Sequence, residues 1–223
     1  MDEDIHQYSG EEIEVSYDVL RCTHARECVE RLPEVFDPDE RPWINPDNAD
    51  VGDLAGVIMQ CPTGALQFER SDGGPSEPVP EDNIVTVVSD GPLYLRGDIE
   101  ITNPDGEMVL EDTRVALCRC GASQNKPLCD NSHVDIDFQA DGRIGDDRSQ
   151  ADDDPVDDVL RVRTRPGGPV TLDGEFEIRG TDPESSVHGT ETALCRCGAS
   201  ENKPFCDGSH AEGGLSPDDS HRI

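Results

Sequence analysis

A segment rich in Cys and His occurs twice in this chain, and it limits the possible folds more than any other feature. Residues 115–133 read VALCRCGASQNKPLCDNSH and residues 192–210 read TALCRCGASENKPFCDGSH, so fifteen of nineteen positions are identical at an offset of 77 residues. Upstream of each segment, Gly/Pro turns separate stretches that alternate apolar and polar residues, a pattern that predicts short strands. We expect each repeat to be a small β unit followed by a Cys/His loop.

The nine cysteines fall into three groups of three, one in an N-terminal module and one in each repeat. A disulfide framework would favour an even number in each group and an oxidising compartment, so metal ligation is the better interpretation. The groups are Cys22, Cys28 and Cys61; Cys118, Cys120 and Cys129; and Cys195, Cys197 and Cys206.

Each repeat adds a histidine to its three cysteines. Cys118 and Cys120 are two residues apart, so an extended backbone can direct both thiolates to one metal ion. Cys129 and His133 are four residues apart, which places both side chains on one face of a helical turn. Asp130 is suited to capping the exposed amides of that turn. Ligand types alone leave zinc and an iron–sulfur cluster open, because a Cys3His set also suits tetrahedral zinc.

The longer pattern C-x-C-x2-S-x3-P-x-C-D-x-S-H resembles the CDGSH iron–sulfur family, also called NEET proteins. The resemblance implies two 2Fe-2S clusters, each held by three Cys and one His. The implied ligands are Cys118, Cys120, Cys129 and His133 for the first cluster and Cys195, Cys197, Cys206 and His210 for the second. Family members with two motifs pair them within one chain, which implies a monomer with an intrachain pseudo-twofold axis.

Further residues repeated around the ligands are candidate cofactor-binding residues. These are Ser123, Lys126, Asp130, Ser200, Lys203 and Asp207. The serine hydroxyls either donate to cluster sulfur or form turns. The two lysines are the only ones in the chain; a compact ammonium suits shielding of cluster charge, and descent from one duplicated ancestor explains them equally well. Asn131 stands where the second repeat has Gly208, and Asn is the best non-Gly residue if this position requires a positive φ.

The N-terminal module carries Cys22-Thr-His24-Ala25-Arg-Glu-Cys28, followed about thirty residues later by Cys61-Pro. Ferredoxins space their first ligands C-x2-C-x2-C, and Ala25 occupies the middle position here. Residues 12–70 resemble the divergent single-cluster 4Fe-4S ferredoxin-like domain, which is often joined to CDGSH motifs. Three thiolates imply a 3Fe-4S cluster, or a 4Fe-4S cluster with His24 or an exogenous group as fourth ligand. A zinc or purely structural module is the alternative.

Composition and periodicity complete the layout. Helical spacing of apolar residues predicts a helix over 50–60, with strands at 13–17 and 66–69. Segments rich in Gly, Pro and Asp cannot bury enough apolar surface to offset ordering entropy, so they predict linkers. The expected fold is α+β, with a small ferredoxin-like module and two β-rich CDGSH modules that form an intrachain pseudo-dimer. The expected segments are 11–70 (ferredoxin-like), 71–82 (linker), 83–139 (first CDGSH), 140–158 (acidic linker), 159–212 (second CDGSH) and 213–223 (tail).

The formal net charge is −32. A polyanion is repelled by nucleic acid and by anionic membranes, so neither is an expected partner. The sequence has no apolar run long enough to span a bilayer, and its acidic start resembles neither a secretory signal nor a transit peptide. We expect a soluble cytoplasmic protein. Acidic excess with two lysines against sixteen arginines is typical of salt-loving archaea, where molar salt reduces the Debye length to about 3 Å; an acidic docking face for a basic partner is the alternative.

No catalytic triad, P-loop or dinucleotide fingerprint is present, so we assign no catalytic residue and expect no enzyme. The leading hypothesis is electron transfer by iron–sulfur clusters, with an unidentified redox protein as partner. The alternatives are cluster storage, cluster transfer to an acceptor protein or redox sensing, and a zinc-stapled interaction module.

Overall fold

The computed structural model describes residues 4–151, 158–182 and 184–212. These residues form two compact units that divide between Pro78 and Val79. The expected tail at 213–223 and residues 152–157 of the expected acidic linker lie outside the described residues. None of the helices in the described part combines the length and the apolar content needed to cross a bilayer.

The first unit is built on a three-stranded antiparallel sheet in the order β1-β2-β3. Its strands and α-helices are β1 (Ile5–Ser9), β2 (Ile13–Asp18), α1 (Glu27–Arg31), α2 (Val51–Ile58) and β3 (Leu66–Arg70). The strands predicted at 13–17 and 66–69 and the helix predicted at 50–60 are confirmed, with small differences at their ends.

Helix α2 is fixed by a cap at its start and by one apolar face. The carboxylate of Asp50 accepts a hydrogen bond of 2.8 Å from the amide of Gly52, which satisfies one of the free amides of the first turn. Leu54 and Ile58 lie one turn apart and are fully buried. Burial of each contributes about 1.5–3 kcal/mol. The helix ends shortly before Cys61, so its packing determines where that cysteine lies.

The second unit contains both repeats in one six-stranded sheet. Its strands are β4 (Ile84–Val87), β5 (Leu93–Thr102), β6 (Met108–Leu117), β7 (Val159–Thr164), β8 (Val170–Arg179) and β9 (Ser186–Leu194). Each repeat supplies an antiparallel set of three strands, β4-β5-β6 and β7-β8-β9. A short helix, α3 (Ser132–Asp135), follows the first Cys/His loop, and a 3-10 turn (Ser209–Glu212) follows the second.

The first strand of each repeat pairs with both repeats. Strand β4 of the first repeat pairs in parallel with β8 of the second, and β7 of the second pairs in parallel with β5 of the first. Val85 lies opposite Ile178, and Val162 lies opposite Ile101. These two pairs are equivalent, because Val162 and Ile178 are the counterparts of Val85 and Ile101 at the repeat offset of 77 residues. Strands β4 and β7 therefore both lie between the longer strands β5 and β8, each near one end of them. Each of the two short strands joins the strands of the other repeat to those of its own.

The alternation read from the sequence corresponds to alternating burial in the sheet. In β5, Leu93, Leu95, Ile99 and Ile101 are at most 1% exposed. The equivalent residues of β8 belong to the same apolar core; they are Val170, Leu172, Phe176 and Ile178. One core therefore supports both Cys/His loops.

Residues 140–151, which belong to the expected acidic linker, are hydrogen-bonded to the second unit. The amide of Ala140 donates to the Asp90 carboxylate at 2.8 Å. The backbone of Gln150 bonds in both directions with β9, donating to Glu191 and accepting from Thr190. This segment carries few apolar side chains; Ile144 packs against the core of the second unit, and the hydrogen bonds hold the rest of it.

Candidate metal centres

Each Cys/His loop folds back on the strand that precedes it. In the first repeat, the amide of Cys118 donates to the carbonyl oxygen of Pro127 at 2.9 Å, and the amide of Cys129 donates to that of Ala116 at 2.8 Å. The second repeat repeats both bonds, from Cys195 to Pro204 and from Cys206 to Ala193. The two ends of each loop, and the ligands that they carry, are thereby anchored to the sheet.

The four expected ligands of the first repeat lie in two pairs. The Sγ atoms of Cys118 and Cys120 are 3.7 Å apart. The Sγ atom of Cys129 lies 3.5 Å from Nδ1 of His133. The expectation of a shared helical turn is wrong, because the left-handed Asn131 separates Cys129 from α3, which carries His133. Two thiolates bound to one tetrahedral metal ion at about 2.3 Å would be about 3.7 Å apart. Each pair therefore has the separation of two ligands on a single metal ion.

The second repeat shows the same arrangement. Cys195 and Cys197 have their Sγ atoms 3.8 Å apart, and Sγ of Cys206 lies 3.4 Å from Nδ1 of His210. Within residues 4–151, 158–182 and 184–212, no three His, Cys, Asp or Glu side chains are placed to share one metal ion. Two ligands on each of two ions is the arrangement that a binuclear iron–sulfur cluster requires, so the residues present fit such a cluster.

The surroundings of the candidate ligands in the first repeat shift their pKa values in different directions. Burial raises the pKa of Cys129 to about 12, whereas a hydrogen bond from the Cys118 thiol lowers the pKa of Cys120 to about 7. Burial also lowers the pKa of His133, which favours the neutral imidazole that binds metal. Because ligands bind as thiolates and neutral imidazole, cluster assembly releases protons.

The two sites differ in exposure. In the first site Cys118, Cys120 and Cys129 are 3%, 9% and 2% exposed. In the second site Cys197 and Cys206 are half-buried. A cluster in the second site is therefore more accessible to a partner molecule.

The aspartates that follow the third cysteines hold the loops closed. Asp130 accepts from the amide of Gln124 at 2.7 Å on one oxygen and from the amide and hydroxyl of Ser132 on the other. Asp207 makes the equivalent bonds to Glu201 and Ser209. The hydrogen bonds from Ser209 and Glu201 hold the pKa of Asp207 well below its usual range. The expected capping role thus extends across each loop.

The serine hydroxyls are used within the loops. Ser123 Oγ donates to the carbonyl oxygen of Leu128 at 2.6 Å, and Ser200 Oγ donates to that of Phe205 at 2.7 Å. A hydroxyl has one proton, so neither serine donates to cluster sulfur in this geometry. Of the two expectations for these residues, the structure corresponds to the turn.

The two lysines are held close to the loops. Lys126 is 8% exposed. Lys203 donates from Nζ to the carbonyl oxygen of Ser200 at 2.5 Å and lies 6.0 Å from the centre of the Phe138 ring. Both precede a proline in a cis peptide bond. Each ammonium group therefore remains in the loop that carries the ligands.

The Asn/Gly difference between the repeats lies at a left-handed position. Asn131 has φ of +73° and Gly208 has φ of +95°. Asn is tolerated in this region, so the first loop keeps the backbone course of the second.

Two arginines beside the ligands were not identified from the sequence. Arg119 and Arg196 are each 1% exposed. Arg119 donates to four backbone carbonyl oxygens, among them those of Gly91 and Ala140, and Arg196 donates to those of Arg165 and Gly168. The sequence signal that could have identified these arginines is their position between the first two cysteines of both repeats. Each places a buried positive charge next to its site.

The two Cys/His loops contact each other through their backbones. Gly121 and Gly198 have φ of +84° and +80°. A Cβ atom on Gly121 would lie 2.6 Å from the carbonyl oxygen of Cys197, and one on Gly198 would lie closer still to that of Cys120. Only glycine fits at either position, and the two candidate centres are neighbours.

The cysteines of the N-terminal module surround a single cavity. Cys22 follows β2 and its short 3-10 turn, Cys28 lies in α1, and Cys61 follows α2. All three line the cavity together with Tyr17 and Trp43. Burial raises the pKa of Cys28 to about 11. Three thiols on one largely apolar cavity fit a cluster held by three thiolates.

The proposed alternatives for a fourth ligand differ in position. Ala25 lines the cavity, but His24 does not belong to its lining. The side chain of His24 is exposed, and its Nδ1 atom lies 3.9 Å from Sγ of Cys22. The structure therefore brings the three cysteines together and leaves His24 at the edge of the group.

Comparisons with known proteins agree with this layout. Residues 8–71 match the family model described as a divergent 4Fe-4S mono-cluster. Residues 90–134 and 167–211 match the model described as iron-binding zinc finger, CDGSH type. Each expected module therefore has a counterpart among known domains.

Similar curated proteins cover only one module. The uncharacterized protein YjdI of Escherichia coli K12 is 38% identical over 63 residues, which are 28% of this chain and 83% of YjdI. YjdI of Escherichia coli O157:H7 gives the same values. No solved structure matches the chain significantly.

Proposed function

Because this chain belongs to the CDGSH-type iron-binding proteins and carries a divergent 4Fe-4S mono-cluster domain ahead of its two CDGSH domains, we propose that it transfers electrons. In this proposal the two repeats hold one 2Fe-2S cluster each, and the N-terminal module holds a 3Fe-4S or 4Fe-4S cluster. The observation that supports the proposal is the pairing of the candidate ligand side chains in both repeats, at separations that suit two ligands on each of two metal ions. When bound, such clusters accept and donate single electrons.

The protein's own residues support reversible reduction. A 2Fe-2S cluster with three thiolates and one imidazole carries one net negative charge when oxidised and two when reduced. The buried guanidinium groups of Arg119 and Arg196 lie beside these charges and favour the reduced form. Because their hydrogen bonds to backbone carbonyls hold them rigidly, little reorganisation accompanies the change in charge.

The same proposal includes an intrachain pseudo-dimer. The parallel pairing of β4 with β8 and of β7 with β5, together with the contact between the two loops, supports a pseudo-twofold arrangement of the repeats within a monomer. Two neighbouring clusters of the same type provide adjacent positions for an electron. We further propose a cytoplasmic location, since all nine cysteines are free thiols and reducing compartments preserve thiols and their clusters.

Cluster storage or transfer is the second candidate function. It is favoured by the half-buried Cys197 and Cys206 and by the half-buried imidazole of His210. An acceptor protein could approach these ligands directly, whereas the cysteines of the first site are covered.

The two functions predict different outcomes in one experiment. Protein purified without oxygen should contain about seven or eight iron ions per chain and absorb visible light, which a zinc protein does not. After reduction, we expect electrons to pass to a soluble cytochrome while iron and sulfide remain with this chain. The opposite result would be intact 2Fe-2S clusters in an added apo-ferredoxin, while the cytochrome does not speed up reoxidation of this chain. That result would establish cluster transfer instead.

The charge of the chain predicts dependence on salt. With a net charge of −32, self-repulsion should destabilise the protein once dilution lengthens the Debye length from about 3 Å at 1 M to about 10 Å at 0.1 M. We expect unfolding or cluster loss on dilution from molar to 0.1 M KCl, measured by circular dichroism and visible absorbance. Sucrose at equal osmolarity is the control and should not protect. Equal stability at both salt concentrations would contradict a salt-adapted protein.

A further inference from the structure

The cavity of the N-terminal module has one side without a thiol. Its lining includes Cys22, Cys28 and Cys61, and at the middle position of the ferredoxin-type spacing it includes Ala25. Ala25 is itself exposed. The place where a fourth thiolate would point is therefore occupied by a methyl group at the solvent side of the cavity.

The geometry of His24 argues against a histidine ligand at this place. In a cubane cluster each iron carries one protein ligand, and ligands on different irons point away from one another. Nδ1 of His24 lies only 3.9 Å from Sγ of Cys22, a separation that suits a hydrogen bond to the sulfur rather than a ligand on another iron. The side chain lies outside the cavity lining.

The backbone around Ala25 is strained in a way that fixes this arrangement. His24 and Arg26 have φ of +53° and +65°, and left-handed residues other than glycine cost about 1–2 kcal/mol each. These two residues flank Ala25, which lines the cavity, whereas His24 does not. Strain of this kind concentrates at functional sites.

A second observation comes from Thr23. It is 8% exposed and lines the same cavity, and its Oγ1 atom is buried without a hydrogen-bond partner among the described residues. A buried hydroxyl left unpaired costs about 1–3 kcal/mol. A ligand in the cavity that accepts a hydrogen bond, such as a cluster sulfide or a metal-bound hydroxide, would remove this cost.

We propose that the N-terminal module is a site for one exchangeable ferrous ion, located at the cluster corner that faces Ala25. The inference rests on the proposed function, because it requires an iron–sulfur cluster on the three cysteines. Cys22, Cys28 and Cys61 would hold the three-iron core, and the exposed side of the cavity at Ala25 would leave the added ion open to solvent. A one-electron reductant first reduces the three-iron core from a charge of +1 to zero, and addition of Fe²⁺ then gives a four-iron core of charge +2.

The residue at position 25 decides whether the ion exchanges, and Thr23 stabilises it by hydrogen bonding. A one-electron oxidant such as ferricyanide would take the four-iron core from a charge of +2 to +3, and loss of Fe²⁺ from the corner without a protein thiolate would return the three-iron core of charge +1. The module would thereby respond both to ferrous iron and to the redox state of its surroundings.

The test uses the full chain, purified without oxygen, with dithionite as reductant and ⁵⁷Fe²⁺ as probe. We expect the oxidised protein to show the electron paramagnetic resonance signal of a three-iron cluster, because oxidised 2Fe-2S clusters give none. Reduction by dithionite in the presence of ⁵⁷Fe²⁺ should remove this signal. Mössbauer spectroscopy should then detect one added ⁵⁷Fe per chain. Absence of uptake while the 2Fe-2S signals remain would overturn the inference and leave the proposed electron-transfer function standing.

Two variants locate the site. Ala25→Cys completes the C-x2-C-x2-C spacing and should give a four-iron cluster that no longer exchanges ⁵⁷Fe. His24→Ala should exchange as the parent does. Exchange that is unchanged in Ala25→Cys, or abolished in His24→Ala, would overturn the assignment of the open corner. If Ala25→Cys does not fold, the parent and His24→Ala decide the matter.

Thr23 is tested as a positioning residue. Thr23→Val keeps the shape but removes the hydroxyl, and it should weaken ⁵⁷Fe²⁺ binding by about threefold to tenfold. Thr23→Ser should restore the parent affinity. Equal affinity in all three proteins would remove Thr23 from the site.

Discussion

Replacing His133 or His210 by Cys should lower the reduction potential of that site by roughly 100–300 mV. A thiolate in place of neutral imidazole adds one negative charge to the cluster, which disfavours the extra electron. The magnitude follows from Rieske centres, where two imidazoles raise the potential by several hundred millivolts above that of all-cysteine clusters. Redox titration monitored by electron paramagnetic resonance measures the shift.

The same substitution should slow cluster loss at mildly acid pH. Metal-bound imidazole competes with a proton for its nitrogen, so acid releases the histidine-bound iron first. The double variant should change both 2Fe-2S clusters and leave the N-terminal cluster as it is. His188→Cys is the matched control, because His188 is an exposed residue of β9. If the ligand variants lose their clusters at the same pH and rate as the parent, these histidines are not ligands.

Gly121→Ala and Gly198→Ala should each destabilise the second unit by about 3–5 kcal/mol. The added Cβ atoms would meet the backbone of the opposite loop, at the carbonyl oxygens of Cys197 and Cys120. Backbone cannot move aside as a flexible side chain can, so the loops must separate. We expect loss of both 2Fe-2S clusters in either variant, measured by iron content and by denaturant unfolding.

Gly106→Ala separates this contact from backbone strain. Gly106 has a similar φ of +83°, but a Cβ atom there would meet nothing within 4 Å. Gly106→Ala should lower the free energy of unfolding only by the strain of the left-handed conformation, about 1–2 kcal/mol. The variant should keep its clusters. Equal destabilisation by all three substitutions would show that the loops do not depend on their mutual contact.

Local spacing made part of this structure predictable. The short separation of Cys129 and His133 indicates that they lie together, although not on the helical turn that their spacing predicts, and alternation in β5 indicates which of its residues are buried. The positive φ of Asn131 follows from the glycine at the equivalent position. These features depend on neighbours in the sequence.

The remaining features depend on contacts between distant segments. The parallel pairing of β4 with β8 and of β7 with β5 is decided by how the two repeats pack together. The alternation within each strand predicts a buried face but not this pairing between repeats. The buried position of Arg119 depends on carbonyl groups supplied by residues 88–91 and 140–141. The hydroxyl of Thr23, which has no hydrogen-bond partner among the residues that the structure describes, has no counterpart in the sequence pattern.

The contact between the loops also sets an order in time during synthesis of the chain. The first Cys/His loop ends at His133, but Gly198, against which Cys120 packs, emerges from the ribosome about 65 residues later. At roughly 5–20 residues per second this is a delay of about 3–13 s. Until then, the first ligand set lacks both its opposing loop and the strand β7. We therefore expect iron to enter the two repeats together, after translation has passed the second motif, and a nascent chain stalled before it to remain colourless in this unit.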